Sequence, residues 1–177
     1  MKFFQRLVIS LFLLSLTACQ SSLVEFQPAS GSLFKITFFY PENWVWEEQR
    51  PFNVIVPGEE PPPSELIVSQ DGIISIRVYK PSNPQAQMQE RMEAFSGAIA
   101  SMPHTDTIIQ IDGHDARWFT VVHPPPSPTS ESYTQEAIYL IAEDRFYSIG
   151  FTCFESEENR RLRKEFKELI KTIKILQ

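Results

Sequence analysis

Apolar residues that alternate with other residues recur along this chain, and this pattern constrains its fold more than any other feature. Between residues 34 and 40, 74 and 78, and 147 and 153, every second residue is apolar or aromatic. Neighbouring side chains of a strand point to opposite faces, so a period of two predicts strands with one buried face. Asp112 and Gly113 are strong turn residues between two more such runs, which predicts a hairpin there.

Two segments of the chain carry the period of a helix instead. Residues 83–101 start with Asn83 and Pro84, which suit an N-cap and the first helical position. Residues 156–174 start with Ser156, the expected cap of a second helix. Apolar residues three and four positions apart predict that one face of each helix packs on the sheet. These residues are Met88, Met92, Phe95 and Ile99 in the first segment and Leu162, Phe166, Leu169, Ile170 and Ile173 in the second.

The second predicted helix also concentrates basic residues outside its apolar stripe. One interpretation is a solvated face, whose charge is neutralised by the four glutamates of the same segment. The other is a surface that contacts lipid headgroups, as basic amphipathic helices do. The sequence leaves both open. The residues concerned are Arg160, Arg161, Arg163, Lys164, Lys167 and Lys171.

The N-terminus has the organisation of an export signal. Lys2 and Arg6 precede an apolar run over residues 7–16, and the small residues Thr17 and Ala18 precede Cys19. Leu-small-small-Cys resembles the bacterial lipobox, whose cysteine sulfur receives a diacylglyceryl group before the chain is cut ahead of it. We therefore predict a signal peptide over residues 1–18 and lipidation of Cys19.

Two other interpretations of this N-terminus are open, an ordinary signal peptide with a chance cysteine and a short membrane anchor. The apolar run is shorter than the roughly 20 residues that span a bilayer as a helix. Two acyl chains hold a protein firmly on a membrane, whereas one holds it only marginally. Lipid on Cys19 would therefore make the membrane the first partner of the chain.

The rest of the chain divides into a tether and one domain. Residues 19–31 are polar and small without periodicity, so we expect a flexible tether, followed by a single domain over residues 32–177. From Cys19 onward there are 14 basic and 22 acidic residues, a net charge of −8. An acidic domain with no basic run before its last helix is a poor candidate for nucleic-acid binding. If Cys19 carries lipid, Cys153 has no cysteine partner, and we expect it to be buried.

One short segment of the sequence contains residues that could bind a metal ion. His114 is flanked by Asp112 and Asp115, and imidazole and carboxylate groups can together hold a divalent cation. The spacing is not a zinc pattern, and turn residues are often polar for no special reason. No Gly-x-Ser-x-Gly, His-Glu-x-x-His or phosphate-binding glycine loop is present. We therefore predict no catalytic residue, metal or cofactor, and keep a metal-dependent or hydrolytic envelope enzyme as the alternative.

Tryptophans are the residues best suited to a partner surface. Trp44, Trp46 and Trp118 are candidates because tryptophan is enriched at protein interfaces. At least two of the three are also expected in the core, since Trp44 and Trp46 would share one face of a strand.

The order of elements resembles the PsbP-like domain family and related bacterial lipoproteins of the DcrB type. The resemblance covers residues 33–176 and rests on the turn from Tyr40 to Trp44, on Gly113 between two strands, and on the closing hairpin and helix. It implies an α+β fold, a central antiparallel sheet with helices on both faces in an α/β/α sandwich. Members of the family are mostly non-catalytic binding or assembly factors. We therefore expect an exported, lipid-anchored module of the bacterial cell envelope, with an envelope protein as partner.

Overall fold

The computed structural model describes residues 22–28, 32–49, 64–70, 72–125, 127, 130–154 and 157–177. Within these ranges the chain forms ten strands and two helices. In chain order they are β1 (Leu23–Phe26), β2 (Ile36–Pro41), β3 (Trp46–Gln49), β4 (Ser64–Gln70), β5 (Gly72–Tyr79), α1 (Pro84–Ile99), β6 (His104–Ile111), β7 (His114–His123), β8 (Tyr133–Ala142), β9 (Arg145–Phe154), α2 (Glu157–Thr172) and β10 (Lys174–Ile175).

Seven strands build the main sheet in the order β3-β4-β5-β9-β8-β7-β6, and every neighbouring pair is antiparallel. The hairpin between β6 and β7 turns at Asp112 and Gly113, whose φ angles are 49° and 85°. Positive φ at both central residues is what a two-residue hairpin turn requires, and Asp-Gly supplies it at little cost. The α+β class, the antiparallel sheet and this hairpin are therefore confirmed.

Alternate residues of the sheet enter two separate hydrophobic clusters. In β8, Ile138 and Leu140 belong to the first cluster, whereas Ala137 and Tyr139 belong to the second. The first cluster also contains the apolar stripe of α2, and the second packs against Met88, Met92 and Phe95 of α1. The described residues thus supply one helix for each cluster, and the first cluster is shared with a second, smaller sheet.

The smaller sheet has the order β1-β2-β10, and it corrects the predicted tether. Residues 23–26 were expected to be flexible, but they form β1, paired with β2 from Leu23 opposite Pro41 to Phe26 opposite Phe38. Phe26 stacks on Phe38 at 4.7 Å between ring centroids. Most side chains of β1 are exposed, so backbone pairing orders this strand without leaving a period of buried residues in the sequence.

Both predicted helices are present, with one correction at a terminus. Asn83 caps α1, because its side-chain oxygen accepts a hydrogen bond from the Ala86 N–H at 3.1 Å. The expected cap Ser156 lies outside the described residues. The predicted second helix was to reach residue 174, but α2 ends at Thr172. Residues 174 and 175 instead pair with β2, opposite Thr37 and Ile36, which only the tertiary fold brings beside them.

Tyr147 is a fully buried tyrosine of the first cluster whose hydroxyl accepts a hydrogen bond from the Lys35 N–H at 3.3 Å. Burial raises its pKa to about 12, since the phenolate would lose its hydration. The unfolded chain deprotonates this side chain near pH 10, so stability is complete below pH 10 and falls as the pH rises towards 12.

We expect Tyr147→Phe to remove that alkaline loss of stability, which amounts to at most about 3 kcal/mol. Urea unfolding of both chains between pH 9 and pH 11.5 measures it. Absorbance at 295 nm should show one late-ionising tyrosine fewer in the substituted chain, because burial also raises the pKa of Tyr139, which both chains retain. Equal losses of stability in the two chains would contradict the assignment.

Candidate functional site

A groove of about 890 Å³ lies between α2 and the first two strands. One wall consists of residues from and beside β1 and β2, and it is largely apolar. The other wall is one side of α2, and it is charged. The lining residues are Ser22, Leu23, Phe39, Pro41, Arg161, Lys164, Glu165, Glu168, Lys171 and Thr172.

The apolar wall exposes side chains that the sheet leaves outside the core. Leu23 is 61% exposed and Phe39 is 42% exposed, although both belong to paired strands. β1 is an edge strand of its sheet, so Leu23 has no neighbour on its outer side in that sheet. Large apolar residues exposed together beside a groove are typical of a surface that contacts something else.

Two lysines of the charged wall, Lys164 and Lys171, belong to a row of cations that runs along α2. Arg160, Lys164, Lys167 and Lys171 are spaced by four, three and four residues, so they share one face of the helix. We call these four residues the basic stripe. Arg160, Lys164 and Lys171 are exposed, whereas Lys167 is half-buried with its ammonium 5.8 Å from the centre of the Trp118 ring.

Two carboxylates beside the basic stripe compensate part of its charge. Arg161 Nε lies 2.9 Å from Glu165 Oε1, and Lys171 Nζ lies 2.8 Å from Glu168 Oε1. In the described part of the chain, Lys164 has neither a hydrogen-bond nor an ion-pair partner. The Lys171–Glu168 pair is exposed on both sides, and exposed ion pairs contribute little to stability. Another anion could therefore replace Glu168 as the partner of Lys171 at little cost to the fold.

The described chain begins at the end of this groove. The Ser22 carbonyl accepts a hydrogen bond from the Glu42 N–H at 2.9 Å, and the Ser22 hydroxyl donates to the Glu42 carboxylate. Ser22 is therefore held on the folded domain. Cys19, the predicted lipidation site, lies outside the described residues, three positions upstream.

The structure does not assemble the candidate metal site. Both carboxylate oxygens of Asp112 accept hydrogen bonds from β10. One comes from Lys174 Nζ and the other from the Ile175 N–H, each at 2.9 Å. The Ile175 N–H, followed by Lys174, lowers the pKa of Asp112. Asp115 accepts a hydrogen bond from Gln110, and His114 is half-buried at the start of β7. Within the described ranges, no three His, Cys, Asp or Glu residues are grouped so that they could share a cation.

Of the three candidate tryptophans, the structure buries one, half-buries another, and leaves their role in a partner surface a prediction. Trp44 is only 4% exposed and lies in the first cluster, so it has almost no surface to offer a partner. Trp118 is half-buried, and its ring meets Phe166 edge to face at 6.3 Å between centroids. The Trp46 side chain lies outside what the structure describes. Cys153 is buried in the first cluster, as expected.

A buried polar network under α2 was not predicted from the sequence. Glu136 in β8 is fully buried, and it accepts hydrogen bonds from Arg163 Nε and, at 2.8 Å, from Trp118 Nε1. The sequence held one signal for it, because Glu136 is in phase with the buried residues Ile138 and Leu140. The network ties α2 to the sheet and lies below the groove wall, so we assign it a structural role.

Among the described residues, no helix has the length and apolar composition needed to cross a membrane. No protein-family model matches the sequence, and no curated protein matches it.

Solved structures with a similar fold have low sequence identity. A protein from Bacteroides thetaiotaomicron VPI-5482 has a TM-score of 0.55 at 13% identity, over 86% of this chain and 48% of that one, so this chain spans about half its length. A mutant of the protein Mog1 has a TM-score of 0.50 at 8% identity, over 88% and 97% of the two chains. The cyanobacterial PsbP protein CyanoP from Synechocystis sp. PCC 6803 has a TM-score of 0.46 at 12% identity, over 90% and 95%. A PsbP protein is among the solved structures found to be similar, and each of these likenesses concerns the fold alone.

Proposed function

We propose that this chain is a lipid-anchored binding module of the bacterial cell envelope, without catalytic activity. One observation carries the proposal: Ser22, three residues after Cys19, is held on the folded domain and lines its groove. Lipid on Cys19 would therefore hold a ready-made binding surface at the membrane. The partners we propose are the membrane, through Cys19, and a protein of the envelope.

The residues of the groove support binding rather than catalysis. Its ionisable side chains are arginine, lysine and glutamate from one helix, and its other wall is apolar. Neither histidine nor cysteine is among the described residues that line it, so a nucleophile paired with an imidazole base is not available there. We extend the proposal to the architecture, an α/β/α sandwich, which is supported by α1 in one hydrophobic cluster and α2 in the other.

Mass spectrometry of the protein made in its native host tests the anchor. We expect a mature chain that begins at Cys19 and carries diacylglycerol. Cys19→Ser removes the thiol that accepts the lipid, so this precursor should stay uncut by the lipoprotein peptidase. Cys153→Ser is the matched control and should keep the lipid. A mature N-terminus at any other residue would overturn the proposal.

Purification of the tagged chain from crosslinked membranes tests the protein partner. A specific envelope protein should accompany the unsubstituted chain and be lost with Cys19→Ser, because that chain is held by its uncleaved signal instead of by lipid. If several detergents and crosslinkers recover no protein with the unsubstituted chain, the proposed protein partner is wrong.

A further inference from the structure

We propose that the basic stripe of α2 and the apolar wall of the groove dock on the membrane, with anionic phospholipid headgroups as the ligand of the stripe. The inference rests on the proposed lipid anchor at Cys19 and goes beyond it, because it assigns an orientation and a lipid class. Three independent observations carry it: the length of chain between lipid and domain, the distribution of charge, and the exposed apolar residues beside the stripe.

The first observation is the short distance between lipid and domain. Three residue steps separate Cys19 from Ser22, and an extended chain covers at most about 3.6 Å per residue, or about 11 Å in all. Ser22 is fixed by its backbone bond to Glu42, and Leu23 is already part of β1. The wall of the groove at Leu23 therefore stays close to the lipid, and the side of the domain that carries the groove faces the bilayer.

The second observation is the asymmetry of charge. Helix α2, residues 157–172, contains six basic and four acidic residues, whereas the rest of the chain after residue 18 contains eight basic and 18 acidic residues. The helix thus carries +2, and the remainder carries −10. An anionic membrane attracts the first and repels the second, so electrostatics and the short tether favour the same orientation.

The third observation is the apolar surface next to the cations. Leu23 and Phe39 are exposed across the groove from Lys164 and Lys171. Apolar side chains beside a basic helix face are the usual composition of a surface that lies in the headgroup region. Insertion into the headgroup region removes both side chains from water.

Nearby carboxylates limit the strength of this contact. Glu165 and Glu168 pair with Arg161 and Lys171, and Glu42 contacts Ser22. Each cation near an anionic membrane is worth about 1 kcal/mol, which is about fivefold in affinity. The basic stripe alone therefore binds the membrane weakly. The lipid anchor keeps the domain beside the bilayer, which raises the effective concentration of the stripe there and makes this weak contact sufficient to orient the domain.

Tryptophan quenching on vesicles tests the orientation. All described strands and helices lie after residue 21, so the chain from Cys19 onward keeps the whole described fold. Coupling the Cys19 thiol to a maleimide lipid supplies the anchor chemically, since Cys153 is buried. The vesicles contain brominated phosphatidylcholine, with or without phosphatidylglycerol. Phe39→Trp reports on the groove, and Ile108→Trp is the control, because Ile108 is 66% exposed and lies on the face of the sheet opposite α2.

The native Trp44, Trp46 and Trp118 give a background that is measured on the unsubstituted chain. Beyond this background we expect added quenching for Phe39→Trp on vesicles that contain phosphatidylglycerol, a smaller addition on phosphatidylcholine alone, and none for Ile108→Trp. Quenching that is equal at both positions, or that does not depend on phosphatidylglycerol, would overturn the inference. In another outcome, an added acidic peptide changes the Phe39→Trp fluorescence while brominated lipid does not quench it. That result would assign the groove to an acidic protein segment and would also overturn the inference.

Partitioning of the untethered chain tests the basic stripe itself. Residues 19–177 with Cys19→Ser should sediment with phosphatidylglycerol vesicles, and Lys164→Gln with Lys171→Gln should lower the partition coefficient about 25-fold. Lys80→Gln is the matched control and should change nothing, because Lys80, like Lys171, is an exposed lysine in an exposed ion pair. If Lys80→Gln lowers the partition coefficient as much as the double substitution does, binding does not depend on where the charge is removed. That result would contradict the inference.

The two proposals fail separately. Both vesicle experiments work without native lipidation, so a mature N-terminus away from Cys19 would refute the anchor and leave the vesicle results intact. Loss of quenching with a correctly lipidated native chain would refute the orientation alone.

Discussion

Arg163→Met should lower the free energy of unfolding by about 3–5 kcal/mol, because it leaves a buried carboxylate without its cation. Glu136 is fully buried, and Arg163 is its charged partner. The remaining hydrogen bond, from Trp118 Nε1, cannot neutralise it. Equilibrium unfolding in urea followed by circular dichroism measures the loss.

Arg161→Met is the control for this substitution. It removes an arginine from the same helix, but its partner Glu165 keeps 19% of its side chain exposed whereas Glu136 has none, so we expect a smaller loss of stability than for Arg163→Met. Combining Arg163→Met with Glu136→Leu should recover much of the lost stability, since a buried ion pair is often replaceable by apolar residues. A cost for Arg163→Met no larger than that for Arg161→Met would show that the pair does not stabilise the fold.

Phe166→Ala should be comparably destabilising, by about 3–5 kcal/mol, because it opens a cavity where α2 meets the sheet. The Phe166 side chain is fully buried, and its ring stacks on Phe151 at 5.0 Å between centroids. Its edge-to-face contact with Trp118 is lost as well. Thermal and urea unfolding give the change in stability, and near-ultraviolet circular dichroism reports the altered environment of Trp118.

Phe95→Ala is the comparison within the other helix. Phe95 is half-buried against Phe119 and Tyr139, so its truncation leaves a site that water can partly fill. We expect a smaller loss of stability than for Phe166→Ala. If Phe95→Ala costs more, α1 and not α2 is the helix on which the fold chiefly depends.

Elements whose signals are local were predictable. Asn83 and Pro84 marked the start of α1, and Asp112 with Gly113 marked the β6–β7 turn. In each case a few neighbouring residues determine the backbone, through a cap, a fixed φ or a positive φ. The period of two along β9 likewise follows from which side chains are buried, so it appears directly in the sequence.

Elements that depend on pairing were missed. β1 contributes mostly exposed side chains, and β10 consists of two residues that extend beyond the end of a helix. Both are ordered by backbone hydrogen bonds to β2, and such bonds leave no trace in the hydropathy pattern. The candidate site was missed for the same reason, because its apolar wall exists only where β1 lies beside β2.

Polar residues showed the same division. The tryptophans suggested a surface, but Trp44 is in the core and Trp118 is half-buried next to Glu136. Asp112 suggested a metal site, but its carboxylate holds the C-terminal strand. The sequence shows which polar side chains are present but does not show which groups they bind. Arg163, for example, binds Glu136, which lies 27 residues away in the chain.

The sequence by itself determined the class of this fold, most of its strands, both helices and the predicted address at Cys19, because each depends on residues that are near one another in the chain. Only the tertiary structure decided that residues 23–26 form strand β1 of the domain, and that α2 sets Lys164 and Lys171 beside Leu23 and Phe39. The two lysines are more than 100 residues from Leu23 and Phe39 in the sequence, and β1 is ordered by backbone pairing that no local pattern records.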